Sequence, residues 1–127
     1  MDGYAPAGSV VSTPADLTRL AQGMLSGQVP GLQALEPLAD SADGRIGMFW
    51  QRDTYPDRQG DFAWHNGGTG GYSSFLAIDR RRQHAVIVLS DVAVGATTLG
   101  RKLVVSDDLW TAPEALDAHA ATSGAAS

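Results

Sequence analysis

The 127-residue chain has no cysteine, which excludes disulfide bonds, thiolate metal ligands and a cysteine nucleophile. Lysine is nearly as rare, and Lys102 is the only one in the sequence. No run approaches the roughly 18 apolar residues that cross a membrane. The first residues also lack the basic and apolar regions of a signal peptide. The sequence therefore predicts no membrane span and leaves the compartment unknown.

Acidic residues outnumber basic ones, and the net charge is -5 at pH 7. Nucleic-acid binding depends on clustered cations that contact phosphates, so this balance argues against it. Three consecutive arginines at 80–82 are interpreted as a solvated turn between two strands. The histidines, His65, His84 and His119, lack the spacing of metal ligands. We therefore expect no metal and no cofactor.

Residues 13–16 have the pattern of a helix start. Thr13 is a typical N-cap, Pro14 suits the first helical position and Asp16 stands where a capping acid is favoured. Apolar residues then recur at helical spacing: Leu17, Leu20, Ala21, Met24 and Leu25. Gly27 follows as a helix terminator. The pattern predicts an amphipathic helix over residues 14–26.

Proline and glycine recur in residues 28–44, which predicts a long loop with at most a short helical turn. Strand-like runs then cover about residues 45–53, 61–66, 71–79 and 84–90. Short links between them favour antiparallel neighbours. A weaker helical pattern covers 95–105, and residues 111–127 are predicted to form a disordered tail. The predicted fold class is α+β, an antiparallel four-stranded sheet with an N-terminal and a C-terminal helix.

Residues 63–75 carry the most informative pattern. His65 joins an apolar stretch to four glycines within five positions, and a second apolar stretch follows. Glycines this close together leave the backbone accessible to another molecule. A phosphate-binding loop would need a helix directly after the glycines, whereas a strand pattern follows here. A hairpin turn without a ligand, with His65 bonded to a neighbouring loop, stays open as an alternative. Strand alternation places Trp64 on the sheet face opposite His65.

Two separate segments carry a resemblance to a known family. Residues 5–17 read Ala-Pro-Ala-Gly-Ser-Val-Val-Ser-Thr-Pro-Ala-Asp-Leu, and residues 65–74 read His-Asn-Gly-Gly-Thr-Gly-Gly-Tyr-Ser-Ser. They resemble the serine β-lactamase-like family of class C β-lactamases, penicillin-binding DD-peptidases, D-aminopeptidases and related esterases. Residues 75–79 and 85–91 look like the two strands that follow in that family. The resemblance implies the C-terminal part of a β-lactamase/transpeptidase-like fold, in a domain over residues 1–110.

The resemblance also implies roles for individual residues. His65, Asn66 and Gly67 are similar to the His-x-Gly form of the family's third active-site motif. His65 would face the substrate, and the backbone N–H of Gly68 would be one of two oxyanion-hole donors, so both would be catalytic. Such a donor is worth about 3 kcal/mol of transition-state stabilisation. Asn66, Gly67 and Thr69 would then contact the substrate.

The sequence departs from the family in its other motifs. A family enzyme needs Ser-x-x-Lys, but the residue three positions before Lys102 is Leu99. Tyr-x-Asn is absent as well, and Ser73 and Ser74 are interpreted as alternating strand positions. The resemblance therefore implies a fragment of a serine hydrolase that is inactive by itself. The alternative is a non-catalytic binding or interaction module derived from the same fold.

The resemblance implies further expectations about partners. If an N-terminal part completes the site, the substrate would be a small-molecule amide or ester, and family members commonly work outside the cytoplasm. In the complete fold, strand 84–90 pairs with an N-terminal strand that is not present in this sequence. Unpaired apolar edges promote association. We therefore expect self-association through strand 84–90, or dependence on a separate N-terminal segment.

Overall fold

The computed structural model describes residues 10–42, 44–57 and 59–106, which form an α+β domain. Two helices lie on opposite faces of an antiparallel six-stranded sheet whose strand order follows the chain. The helices are α1 (Pro14–Ser26) and α2 (Ala96–Val105), with a short 3₁₀ helix at Leu32–Leu35. The strands are β1 (Ala39–Ser41), β2 (Gly44–Ile46), β3 (Gln51–Thr54), β4 (Asp61–Thr69), β5 (Tyr72–Asp79) and β6 (His84–Ser90).

Helix α1 has the bounds that the sequence predicts. The backbone N–H of Asp16 donates to Thr13 Oγ1 at 3.2 Å, and Pro14 occupies the first turn. Gly27 ends the helix with a left-handed φ of 78°. Local capping chemistry is therefore sufficient to define this helix.

The prediction of a four-stranded sheet is wrong, because the described sheet has six strands. The run predicted as one strand over 45–53 is divided into β2 and β3 by a turn. At this turn Gly47 packs so closely that a Cβ would lie 2.6 Å from the carbonyl oxygen of Ala34. The segment 28–44 contains the 3₁₀ helix, in agreement with the predicted short helical turn, and also β1, which was not predicted. The alternation of apolar and polar residues does not predict this turn, because the turn involves a contact with the distant backbone of Ala34.

The sheet has a hydrophobic core on each of its two faces. The face under α2 contains Tyr55, Phe62, Trp64, Phe75, Ala77 and Val86, packed against Ala96 and Val104 of the helix. The opposite face contains Ala63 and Ile78, packed against Ala21 and Met24 of α1 and against Leu35. The sheet is therefore covered on both sides along part of its length.

Strand β6 has apolar residues packed on both of its faces. Ala85 and Ile87 pack with the α1-side core, and Val88 packs with the α2-side core. None of the helices in the described ranges is long and apolar enough to span a membrane. The predicted tail at 111–127, the predicted domain end at 110 and His119 lie outside the described residues.

Candidate active site

The His-x-Gly segment lies in β4, which extends farther than the sequence predicts. The predicted strand ends at residue 66, whereas β4 continues through both glycines to Thr69. The turn consists of Gly70 and Gly71 alone, with φ of 50° and 97°. Positive φ at both positions of a two-residue loop is typical of a type I′ hairpin. Half of the glycine cluster is therefore strand and half is turn.

The hairpin determines which backbone groups of β4 point away from β5. Thr69 and Tyr72 close the two-residue loop, so they are a hydrogen-bonded pair. Hydrogen-bonded and non-hydrogen-bonded pairs alternate along antiparallel strands. The pair Gly68–Ser73 is therefore non-hydrogen-bonded, and so is Asn66–Phe75. The N–H and C=O groups of Asn66 and Gly68 consequently point towards the β3 side of the sheet.

Strand β3 does not extend far enough to meet these groups. Its register with β4 begins at Gln51 opposite Trp64 and runs from there to Thr54 opposite Asp61. Residues 65–69 of β4 have no β3 partner in the described sheet, and all five are exposed. The backbone groups of Asn66 and Gly68 therefore lie on an open strand edge, which we call the β4 edge (residues 65–69).

His65 lies beside this edge on the α1 side of the sheet. Trp64 is only 6% exposed in the α2-side core, so alternation places the exposed His65 on the other face. The Trp50 ring lies edge-on to His65, with ring centroids 6.4 Å apart. Trp50 itself packs against the α1-side core, so it gives His65 a fixed apolar neighbour. Nothing in the sequence pattern pairs these two residues.

The two strand glycines differ in the space around them. A Cβ on Gly67 would lie 2.8 Å from Ser74 Oγ on the neighbouring strand. A Cβ on Gly68 would meet only the carbonyl oxygens of Tyr72 and Ala93, at 3.9 and 4.0 Å. A side chain at position 67 would therefore collide with Ser74 unless Ser74 moved, whereas one at position 68 would make only ordinary contacts.

Asn66 and Ser73 connect the hairpin to the segment that leads into α2. Asn66 Nδ2 donates to Thr97 Oγ1 at 3.0 Å, and Ser73 Oγ donates to the carbonyl oxygen of Val92 at 2.7 Å. Ser73 is 8% exposed. Residues 92–97 therefore support the hairpin from the α2 side. The sequence shows no sign of these long-range contacts, and substrate binding by Asn66 stays a prediction.

The described residues contain no group of three His, Cys, Asp or Glu side chains that could hold a metal ion.

Comparison with protein-family models matches residues 1–105 to the Beta-lactamase family. Comparisons with curated proteins and with solved structures give no significant match. The family match covers most of the sequence and includes the His-x-Gly hairpin and both helices. The chain therefore belongs to the β-lactamase family.

Proposed function

We propose that this chain provides the substrate-facing strand of a serine hydrolase that cleaves a small-molecule amide or ester through an acyl-enzyme. The observation that carries the proposal is the β4 edge, where the N–H of Gly68 points away from β5 beside the exposed His65. An extended ligand adds to such an edge as a further strand, held by backbone hydrogen bonds. Asn66 and Gly68 are the residues that would bond it.

Gly68 would act on the carbonyl that is attacked. When a nucleophile adds to that carbonyl, negative charge develops on its oxygen. A fixed N–H stabilises this charge without reorganisation, by about 3 kcal/mol for one donor. A Cβ at Gly68 would meet nothing closer than 3.9 Å, so the side-chain position of this residue is not crowded.

His65 would place a polar imidazole ring beside the reacting bond. It is exposed on the α1 side, and Trp50 limits its position from one direction. Gly67 and Thr69 lie on the same side of the strand by alternation, so the three residues form one row along the β4 edge. We assign them to substrate contact, with His65 nearest the carboxylate or leaving group.

The nucleophile would come from a Ser-x-x-Lys segment that is not among these 127 residues. Incubation of the chain with a penicillin, a fluorophosphonate and an activated ester, followed by intact-mass measurement, tests this assignment. We expect no covalent adduct. A stoichiometric adduct would show that a serine within the chain is activated, and the assignment of the nucleophile would be wrong.

Ligand binding to the β4 edge is tested separately by titrating ¹⁵N-labelled chain with benzylpenicillin and with an N-acyl dipeptide amide. We expect the largest shifts at the amides of Asn66 and Gly68, because both point to the open edge. Gly68→Pro removes the donor and should abolish binding, whereas Gly68→Ala keeps the N–H and should retain it. Equal binding by the two variants would show that the Gly68 N–H does not bond the ligand.

The same titration distinguishes the serine-hydrolase function from the alternative, a non-catalytic interaction module. Such a module would recognise a protein partner and would show no response of Asn66 and Gly68 to either small molecule.

A further inference from the structure

Ser74 lies on β5 beside the His-x-Gly segment, and the proposed function gives it no role. It pairs with Gly67 of β4, and directly opposite residues have their side chains on the same face of a sheet. Ser74 therefore lies on the α1 side, where His65 also lies. Ser73, by contrast, faces α2 and bonds the carbonyl oxygen of Val92. The two neighbouring hydroxyls consequently have different surroundings.

The Ser74 hydroxyl leans over Gly67. The position that a Cβ of Gly67 would occupy is 2.8 Å from Ser74 Oγ, so the hydroxyl fills the space that a side chain would need there. None of the described residues forms a hydrogen bond with this hydroxyl. Ser74 is half-buried, and Gly67 is exposed. The missing Cβ of Gly67 therefore gives an unpaired hydroxyl access to the row formed by His65, Gly67 and Thr69.

A ligand strand on the β4 edge would place one side chain against this gap. Asn66 and Gly68 bond the ligand, so the ligand residue between their two partners lies opposite Gly67 as a non-hydrogen-bonded pair. The Cα atoms of such a pair are about 4.5 Å apart, and both side chains lie on the same face of the sheet. The ligand side chain therefore lies on the α1 side, beside Gly67.

The direction of the ligand determines which of its residues this is. Strand β3 is antiparallel to β4, and a ligand that continues the line of β3 has the same direction. The ligand carbonyl that accepts from the Gly68 N–H then belongs to the residue immediately before the one opposite Gly67. The side chain beside the gap is therefore that of the first residue on the leaving-group side of the attacked carbonyl.

The distances favour a polar side chain of moderate length. Paired Cβ positions on neighbouring strands are about 5 Å apart, so Ser74 Oγ lies less than about 8 Å from the Cβ of that ligand residue. A side chain of the length of glutamine, together with one hydrogen bond, covers roughly 7 Å. A serine hydroxyl both donates and accepts, so a terminal amide is a suitable partner for it.

We propose that Ser74 is a specificity residue of the β4 edge and binds a polar, hydrogen-bonding side chain on the first residue of the leaving group. The inference rests on the proposed function, because it needs a ligand on the β4 edge. The substrate class is then a peptide-like amide with a side chain of glutamine length at that position. A glycine at position 67 leaves room for this side chain and the Ser74 hydroxyl to meet.

Two peptides that differ in one side chain test the inference. N-acetyl-Gly-Gln-Gly amide and N-acetyl-Gly-norleucine-Gly amide have the same backbone and similar length, but only the glutamine side chain ends in a hydrogen-bonding group. Titration of ¹⁵N-labelled chain should shift the amides of Asn66 and Gly68 with both peptides. We expect the glutamine peptide to bind about five-fold more tightly, the ratio that one neutral hydrogen bond gives.

Substitutions on β5 and β4 assign this preference to the Ser74 hydroxyl. Ser74→Ala should bind the two peptides equally, whereas Ser74→Thr retains a hydroxyl and should retain the preference. Gly67→Ala places a methyl group where the hydroxyl lies, so it should remove the preference. Ser73→Ala is the matched control, because it removes a hydroxyl from the opposite face of the same strand, and it should retain the preference. Circular dichroism verifies that each variant folds.

Equal binding of the two peptides to the wild-type chain, with Asn66 and Gly68 responding to both, would overturn the inference and leave the proposed function in place. A preference that persists in Ser74→Ala would overturn it as well, since another group would then bind the glutamine side chain. Loss of the preference in Ser73→Ala would show that it depends on the integrity of the hairpin and not on Ser74. If neither peptide shifts the two amides, the proposed function fails, and this inference fails with it.

Discussion

Asn66 and Thr97 are 31 residues apart in sequence, and their side chains are joined by a hydrogen bond of 3.0 Å from Asn66 Nδ2 to Thr97 Oγ1. The bond joins the middle of the His-x-Gly segment to the first turn of α2. Asn66 is therefore tied to the α2 side of the sheet, while His65 and Gly67 lie on the α1 side.

This relationship predicts energetic coupling between the two residues. Asn66→Ala and Thr97→Ala should each lower the free energy of unfolding by about 1 kcal/mol or less, because the bond is exposed. The double variant should cost less than the sum of the two. Urea unfolding of all four proteins measures the coupling. Additive effects would show that the bond does not contribute in solution.

Asp79 predicts a pH dependence of stability. The side chain is buried and accepts hydrogen bonds from the Tyr55 hydroxyl at 2.8 Å and from the Arg82 backbone and guanidinium at 3.0 Å. Burial alone would raise the pKa of Asp79, but these bonds and the Arg82 charge outweigh it and lower the pKa below the ordinary 3.8. Asp79 therefore contributes stability above pH 3.8, and this stability is lost as the pH falls through the lower folded-state pKa.

Asp79→Asn should consequently lower the free energy of unfolding by about 2 kcal/mol at pH 7. The difference from the wild type should shrink as the pH falls below 4, since the wild-type carboxylate is then protonated in the unfolded chain first and in the folded chain later. Urea unfolding of the wild type and of Asp79→Asn between pH 7 and pH 2 measures this difference in unfolding free energy. A difference that is constant over this range would contradict the role of the charge.

Phe49 is in the left-handed region with φ of 65°, and its side chain is 86% exposed. A left-handed conformation costs a non-glycine residue about 1–2 kcal/mol, and this ring recovers little of it by burial. Phe49→Gly should therefore stabilise the chain by about 1 kcal/mol, measured by thermal or urea unfolding.

Gln83 provides the control, because it has a similar φ of 58° but bonds the carbonyl oxygens of Leu25 and Arg80 through Nε2. Gln83→Gly relieves the same strain and removes both bonds. It should stabilise less than Phe49→Gly or destabilise. A larger gain from Gln83→Gly would show that backbone strain does not determine the difference.

Two helical glycines predict opposite results for the same substitution. In α2, a Cβ on Gly100 would lie 2.1 Å from the ring of the fully buried Phe75, so Gly100→Ala should cost about 2 kcal/mol or more. In α1, a Cβ on Gly23 would meet only Val29 Cγ1, at 2.8 Å. Val29 can move, and alanine favours the helix by about 1 kcal/mol, so Gly23→Ala should leave stability unchanged or higher. Thermal unfolding of the two variants compares them directly.

The sequence by itself determined the features that depend on neighbouring residues. Thr13, Pro14 and Gly27 define α1 through capping and backbone preference, and the bounds agree with the structure. Two short segments, residues 5–17 and 65–74, carried the resemblance to the family. These signals are readable because each depends on side chains within a few positions of one another.

Tertiary structure alone decided the features that depend on contacts between distant segments. The strand predicted over 45–53 turns between β2 and β3, where Gly47 lies too close to the backbone of Ala34 for a Cβ to fit. Trp50 beside His65, and Thr97 bonded to Asn66, follow from the register of the sheet and the position of α2. The open β4 edge exists because β3 begins opposite Trp64, so that within the described ranges residues 65–69 pair with β5 alone. Local pattern does not encode these distances, since they arise only when the whole sheet has been assembled.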